Sequence, residues 1–417
     1  MPTRSPPAVA GSASLWVLVA LLHGCSSTPG AEVRSDAGMD GGDARADLTN
    51  GVYGAPIPGM TADELARFHA GLDAFVKQES IGSGLGPVFN AAVCRQCHDG
   101  PPATGGTNQR VERRFGRREP DGGFDPLIEL GGPLLQDHAI GPVPGFNYVP
   151  EVIPPEANVV AARRTPPVFG LGLVDATPDA VFEALAQAEA SAAPEAAGRT
   201  ARVVDLNTGQ LAVGKFGWKA SIATLFQFSG DAALNEMGIT NPMFPDEVCP
   251  SGDCSALTYN PLPTLNDVEG HDVRGFTDFM TFLGPPPAPK LVGDVARGSA
   301  VFAAIGCAVC HVPTLITGTS ISSAFDRVAY HPYSDFLLHD MGTLGDGIDQ
   351  ADARGNEMRT QPLWGLSQQG QLLHDARAVT PAAAIGEHAG QGAGARDRFA
   401  ALPDADRAAL LAFLAAL

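Results

Sequence analysis

Two stretches decide how this chain is read: Cys94-Arg95-Gln96-Cys97-His98 and Cys307-Ala308-Val309-Cys310-His311. Both have the CxxCH spacing. At that spacing two thiols can bond to the two vinyl groups of one porphyrin while the adjacent imidazole reaches under the ring to the iron. A redox dithiol does not require the following His, and a zinc site needs further Cys or His at close spacing. The pair therefore predicts two covalently bound haem c groups. Cys94, Cys97, Cys307 and Cys310 are the attachment points, and His98 and His311 are the proximal iron ligands.

Each motif has its own approach. Thr61-Ala62-Asp63-Glu64 is a capping box. The helix it opens puts Leu65, Phe68, Leu72, Phe75 and Val76 on one stripe. His69 lies beside that stripe as a core or surface residue. The second motif follows a helix from Asp294 to Phe302, and the chain closes with an acid-capped helix from Asp404 through the apolar run Ala408 to Leu417. Pro285, Pro286, Pro287 and Pro289 stiffen the segment between the two units. One octapeptide also recurs. Arg164-Thr165-Pro166-Pro167-Val168-Phe169-Gly170-Leu171 returns as Arg359-Thr360-Gln361-Pro362-Leu363-Trp364-Gly365-Leu366, each copy downstream of a CxxCH.

The 417 residues suffice for two ordinary cores, while 49 Gly and 35 Pro call for long irregular segments. A net charge of −19 with no basic stripe argues against nucleic acid and suits a small, basic electron-carrier protein as donor. Of the seven Cys, four belong to the motifs. Cys249 and Cys254 bracket a four-residue turn, either as a local disulfide of an oxidising compartment or as a free pair. Cys25 follows Arg4, the apolar run Leu15 to Leu22, and His23-Gly24. The run is too short to span a bilayer. It reads as a cleaved signal with a lipobox, so that Cys25 carries a lipid anchor to the membrane, with plain secretion as the alternative. The expected location is the bacterial cell envelope, facing the periplasm from the outer membrane.

The sixth position on each iron separates an electron relay from a reactive centre. Aligning the repeats places His388, on a short helix from Pro381, opposite Leu185. From Thr165 to Glu236 there is no His, Met, Cys or Tyr, so a second ligand for the first haem would come from His138, Met237 or His271. The expectation is a closed iron held by His311 and His388 and an open one at His98.

These features together resemble the bacterial di-haem oxidoreductase family, related to di-haem cytochrome c peroxidases and to the enzyme that matures tryptophan tryptophylquinone. The resemblance rests on Gly84 to Asn90 leading into Cys94 to His98, Arg164 to Leu173, Phe216-Gly217-Trp218-Lys219-Ala220 and Gly238 to Pro242. It continues through Leu338 to Gly342, Arg359 to Leu366 and Leu373 to His388. It implies a mainly α fold of two cytochrome c-like domains with long irregular loops, the haems near the domain interface. The divisions are a signal peptide with lipobox (1–25), a flexible linker (26–55), a first haem c domain with an insertion (56–284) and a second haem c domain (285–417). It implies electrons passing from haem 2 to a reactive haem 1 that takes hydrogen peroxide or another small substrate. A di-haem electron carrier without substrate chemistry is the alternative.

In the related peroxidases the position matching His388 is usually Met, which raises haem potential. The departure points away from cytochrome c peroxidase activity itself while leaving haem 2 as a relay. Asp175 and Glu183 lie in the segment that supplies the acid-base group of the relatives and are the catalytic candidates. Trp218 and Trp364 are candidates for an electron-tunnelling stop, Trp364 also reading as a core aromatic. His339 and Met341 are candidates to cap a haem, and His374 reads as a hydrogen-bonding neighbour of haem 2. A calcium ion between the domains, as in the relatives, has no place assigned by the sequence.

Overall fold

The computed structural model describes residues 52–417 except 101–103, 108–109, 258–265 and 268. The expected signal peptide, Cys25 and most of the linker lie outside the described residues. Nine α-helices run among them in chain order: α1 Ala62–Val76, α2 Leu171–Asp175, α3 Asp179–Ala192, α4 Leu225–Met237, α5 His271–Phe282, α6 Gly293–Ala304, α7 Pro381–Gly386, α8 Ala393–Ala400 and α9 Asp404–Leu414. None of the described helices is long and apolar enough to cross a membrane.

The capping box at the head of α1 forms in both directions. Glu64 N donates to Thr61 Oγ1 at 3.2 Å, and Thr61 N donates to Glu64 Oε2 at 2.8 Å. Phe68, Gly71 and Phe75 form the buried face, while Leu65 and His69 stay exposed. α5 crosses that face at Gly71, where a Cβ would lie 2.6 Å from Gly275 O and 2.6 Å from Phe279 N. The close approach sets Phe75 against Phe279, the rings tilted with centroids 4.5 Å apart. The second motif repeats the device. α6 crosses α9 at Gly298, where a Cβ would lie 2.0 Å from Ala409 O, and Phe302 meets Phe413 edge-on. Each CxxCH thus follows a helix pinned by a glycine crossing.

Away from those crossings the expectation of a mainly α fold is corrected. Helix accounts for 35% and strand for 16% of the described residues. The strands form six small sheets. Their sequences explain this. Ala201-Arg202-Val203-Val204-Asp205 alternates buried and exposed positions, turns at Asn207-Thr208-Gly209, and pairs antiparallel with Gln210–Gly214. The long strand Val111–Arg118 pairs antiparallel with Val159–Arg164, setting Val111 opposite Arg164.

The described residues cluster as one unit. The main apolar core runs from Ile57 through Phe182, Phe279 and Tyr330 to Trp364, drawing side chains from both sides of the Pro285–Pro289 segment. Tyr53, inside the expected linker, already packs edge-on to Phe169. A smaller core around Phe302, Tyr333, Leu410 and Phe413 supports the second motif. Cys249 and Cys254 form a disulfide.

The two copies of the octapeptide take one conformation. Each begins with a buried Arg at the end of a strand, and each turns at a left-handed Gly (Gly170 φ +68°, Gly365 φ +73°) into a short helix. The copies touch, because the Trp364 ring covers Gly170, where a Cβ would lie 2.7 Å from it.

Replacing Gly298 with Ala should cost about 1–3 kcal/mol of unfolding free energy, because overpacking against the Ala409 carbonyl outweighs the better helix propensity of Ala. Gly386→Ala is the control, since nothing lies within 4 Å of the new methyl group. Thermal unfolding of both variants checks this, and equal melting temperatures would refute the crossing argument.

Candidate functional site

Each CxxCH closes into a single 3-10 turn, Cys94–Gln96 and Cys307–Val309. His98 N donates to Cys94 O at 3.0 Å and His311 N to Cys307 O at 2.9 Å. The turn brings both thiols and the imidazole to one cavity wall. The four cysteines are free, not paired as disulfides. Burial pushes Cys94 and Cys307 up to about 12, Cys97 up to about 11, and raises Cys310 as well. A redox dithiol or a thiolate metal site needs the opposite shift.

The first cavity, ≈ 350 Å³, is lined by Cys94, Cys97 and His98. The second, ≈ 230 Å³, is lined by Cys307, Cys310, His311 and His388. Burial drives both His98 and His311 down to about 4, leaving neutral imidazoles with a free lone pair. His98 Nδ1 is buried and makes no well-aligned hydrogen bond, with the backbone of Gly106 and Pro166 beside the ring. In the second cavity both rings are oriented. His311 Nδ1 donates to Tyr333 O at 2.9 Å and His388 Nδ1 donates to Ala384 O at 2.8 Å. Each ring therefore keeps Nε2 for another partner, and the centroids stand 6.5 Å apart.

The first cavity has no second imidazole among its lining residues. Leu185, opposite His388 in the repeat, packs against the main core. His138 sits half-exposed beside Asp137, and His271 pairs with Glu269 in solvent. Of the three suggested ligands only Met237 lines the cavity, as does Met280.

Asp175 and Glu183, the catalytic candidates of the sequence, line neither cavity. Asp175 ends α2 and its carboxyl accepts from Leu225 N at 3.1 Å, at the head of α4. Glu183 pairs with Arg202 at 2.7 Å on the half-exposed flank of α3. The first cavity instead holds Glu112, Asp231 and Glu236 with Arg114 and Arg163. Glu112 and Arg114 sit two apart on one strand, hence on one face, and bond at 2.8 Å.

Burial and the charge of Glu112 push Glu236 up to about 8. Burial also acts on Glu112, but Arg114 and Arg163 outweigh it and hold Glu112 below the usual carboxylate range. The two carboxyls bond each other, so near neutral pH one proton resides on Glu236. The alternation of charge in Val111-Glu112-Arg113-Arg114-Phe115 was the available signal for this strand, but burial of those charges was not in it.

The cavities share a wall. Arg164 and Trp218 line both. Trp218 Nε1 donates to Arg164 O at 2.8 Å, Arg359 N donates to Trp218 O at 2.9 Å, and His374 meets the indole edge-on. Trp364 lies in the main core and lines neither cavity. His339 is held between Asp335 Oδ2 at 2.9 Å and Ala196 O at 3.0 Å, with both ring nitrogens donating. Burial opposes that charge, but Asp335 outweighs it and raises His339 well above its ordinary value, so the ring has no lone pair to give. Met341 lines the second cavity.

A family model described as "Di-haem oxidoreductase, putative peroxidase" matches residues 155–417. The chain belongs to the di-haem oxidoreductase family. The match includes the second CxxCH, both octapeptides, Trp218, Glu236 and His388, and leaves the first CxxCH to its N-terminal side. No curated protein matches the chain. Among solved structures, hydrazine synthase of Kuenenia stuttgartiensis, studied under 20 bar of xenon, aligns at 12% identity over 94% of this chain and 100% of that one. Its TM-score of 0.37 carries no argument.

The residues fit a di-haem protein. Two cavities each present two unpaired thiols and a neutral imidazole, and in the first His98 Nδ1 makes no well-aligned hydrogen bond. Across the second, the rings of His311 and His388 stand with centroids 6.5 Å apart, and these two residues would hold an iron there. Cys310, Asp335 and His339 form the close-set group of potential metal ligands, within 4.8 Å among the described residues. With a thiol and a charged imidazole it is no oxygen cage for calcium.

Because its pKa stands above the unfolded value of 4.5, Glu236 stabilises the fold most below that pH, and this contribution is lost as pH rises through about 8. Glu189, also raised to about 8 by burial beside Asp335, adds the same sign. Glu236→Gln should therefore partly flatten the fall of unfolding free energy between pH 4.5 and 8. Urea titrations across that range test this, and an unaltered slope would count against a buried, protonated Glu236.

Proposed function

We propose that the chain is a c-type di-haem peroxidase-class enzyme. Electrons would enter at the haem on Cys307, Cys310 and His311 and react at the haem on Cys94, Cys97 and His98. The observation that carries this reading is the asymmetry of the cavities. Two oriented imidazoles face each other across the second, while the first pairs one imidazole with a protonated and an ionised carboxyl. The haem irons would supply the one-electron chemistry that no side chain performs.

His311 and His388 would hold the second iron from both sides and leave no exchangeable position, the arrangement of an electron relay. His98 would hold the first from one side. Glu112, ionised, can take a proton from one oxygen of hydrogen peroxide, and Glu236 can give its proton to the other. The overall change consumes two electrons and two protons per peroxide and yields two waters. Arg114 and Arg163 keep Glu112 charged while it waits. Trp218, on the wall common to both cavities, offers the electron a path between them. Alternatively another small molecule at the same cavity would supply the two electrons and be oxidised by the peroxide.

A second reading has its own observation. Met237 and Met280 line the first cavity, and a thioether cap on that iron would make a di-haem electron carrier without substrate chemistry. We further propose that the protein faces the periplasm as a lipoprotein anchored through Cys25. The Cys249–Cys254 disulfide supports an oxidising compartment. The charge of −19 supports a basic electron-carrier donor.

Electron paramagnetic resonance of the purified ferric protein, with haem counted chemically, tests the proposal. It should give two haems per chain, one high-spin and one low-spin. Two low-spin haems that persist on half-reduction would favour the carrier. His388→Ala should convert the low-spin signal alone, and an unaltered spectrum would refute His388 as a ligand. Glu236→Gln should lower the peroxide turnover rate by about 10²–10⁴-fold with the spectrum intact. A loss under threefold would remove Glu236 from the chemistry.

A further inference from the structure

Among the described residues two arginines of the repeat are buried without an ion pair, Asp335 acting on Arg359 only through space. Arg164 is 5% exposed and Arg359 7%. Arg164 donates from Nη2 to Gln369 Oε1 at 2.7 Å and from Nη1 to Thr107 Oγ1 at 3.4 Å, while its Nε is buried with no acceptor. Arg359 donates from Nε to Gly217 O at 2.6 Å, from Nη1 to Thr360 O at 3.1 Å and from Nη2 to Gln361 Oε1 at 2.8 Å. Beside it, Gln361 Nε2 is a second buried donor with no acceptor. Among the described residues neither guanidinium forms an ion pair, although other buried cations of this protein do. Arg163 and Lys219, for example, share the Asp346 carboxylate.

A guanidinium taken out of water without an anion is costly, and orphaned donors beside it add to the cost. Burial alone lowers Arg164 to about 10, with no charge opposing it. Both side chains border cavities: Arg359 and Gln361 the second, Arg164 both. The missing partner is therefore an anion inside the cavities, one that accepts planar, forked donors. Carboxylates have that shape.

We infer that the octapeptide repeat is a carboxylate-anchoring device: Arg359 with Gln361 pairs with the propionate groups of the second haem, and Arg164 is shared between propionates of both haems. This rests on the di-haem reading above. It goes further in assigning to one guanidinium a common electrostatic hold on two redox centres. A propionate left unpaired stabilises ferric iron, and pairing it with a guanidinium cancels that effect and raises the midpoint potential. Arg164 then sets both potentials together, while Arg359 sets one. Arg164 is also fixed on the wall between them by its backbone. Its carbonyl accepts from Trp218 Nε1, and its N–H donates to His374 O at 2.5 Å.

Spectroelectrochemical titration of the holoprotein tests the inference. Arg164→Gln should shift the midpoint potentials of both haems downward, and Arg359→Gln that of the second haem alone. Arg164→Lys, which keeps the charge, should leave both potentials nearer the unaltered protein than Gln does. Gln361→Leu, a milder change at the same anchor, should lower the second potential. Haem counted beforehand separates the two levels. Fewer than two haems per chain overturns the di-haem reading itself. Two haems with unmoved potentials in Arg164→Gln overturns the anchoring, and a shift confined to one haem overturns the sharing. Should Arg164→Gln not fold, equal second-haem potentials in Gln361→Leu and the unaltered protein overturn the second anchor.

Discussion

The segment Phe216–Ala220 clasps the two copies of the octapeptide, and the arrangement of both cavities depends on it. Trp218 gives its indole N–H to one copy at Arg164 and takes the backbone N–H of the other at Arg359. Next to it, Lys219 is fully buried and bonds the carbonyls of Arg354, Gly355 and Glu357 as well as the Asp346 carboxylate. An ammonium whose three N–H groups are shared among three carbonyls and one carboxylate resists displacement, since a buried charge without these acceptors is poorly solvated. The indole between the cavities is therefore fixed in position and orientation.

Symmetry of scaffold and asymmetry of chemistry coexist around that clasp. Both motifs follow a helix pinned at a glycine crossing, and both octapeptides place an arginine and a left-handed glycine alike. What differs is the side chains that the less regular segments add. After the second octapeptide, α7 ends just before His388 and lends the ring a carbonyl at Ala384. The corresponding stretch of the first half, α3, offers Leu185 to the main core. In compensation the paired strands Val111–Arg118 and Val159–Arg164 and the helix α4 bring Glu112, Asp231, Glu236, Arg114 and Arg163 to the first cavity. A cavity with two facing imidazoles and one equipped with carboxyl groups thus arise on similar frames.

Legibility in the sequence followed locality. The capping box at Thr61, the helix expected from Asp294 to Phe302, the terminal helix from Asp404 and the turn around Cys249 and Cys254 are all read within a few residues, and each is present. The mainly α expectation was too broad because the family resemblance covers the helices around the motifs, whereas short hairpins such as Ala201–Gly214 fill the Gly- and Pro-rich remainder. Asp175 and Glu183 were chosen by their place along the chain, and their side chains turn instead to Leu225 and Arg202.

The sequence by itself determined that the chain carries two CxxCH turns, that one octapeptide is repeated, and that His388 stands where the first half has Leu. These are matters of spacing and identity, and covalent geometry makes them binding wherever the chain goes. Tertiary structure alone decided which charges share a cavity. Glu112 and Glu236 are 124 positions apart in the sequence and bond only because a strand and a helix end converge on one buried space. Burial, a property of the whole fold, then splits their proton affinities, since a low-dielectric cavity cannot hold two adjacent negative charges.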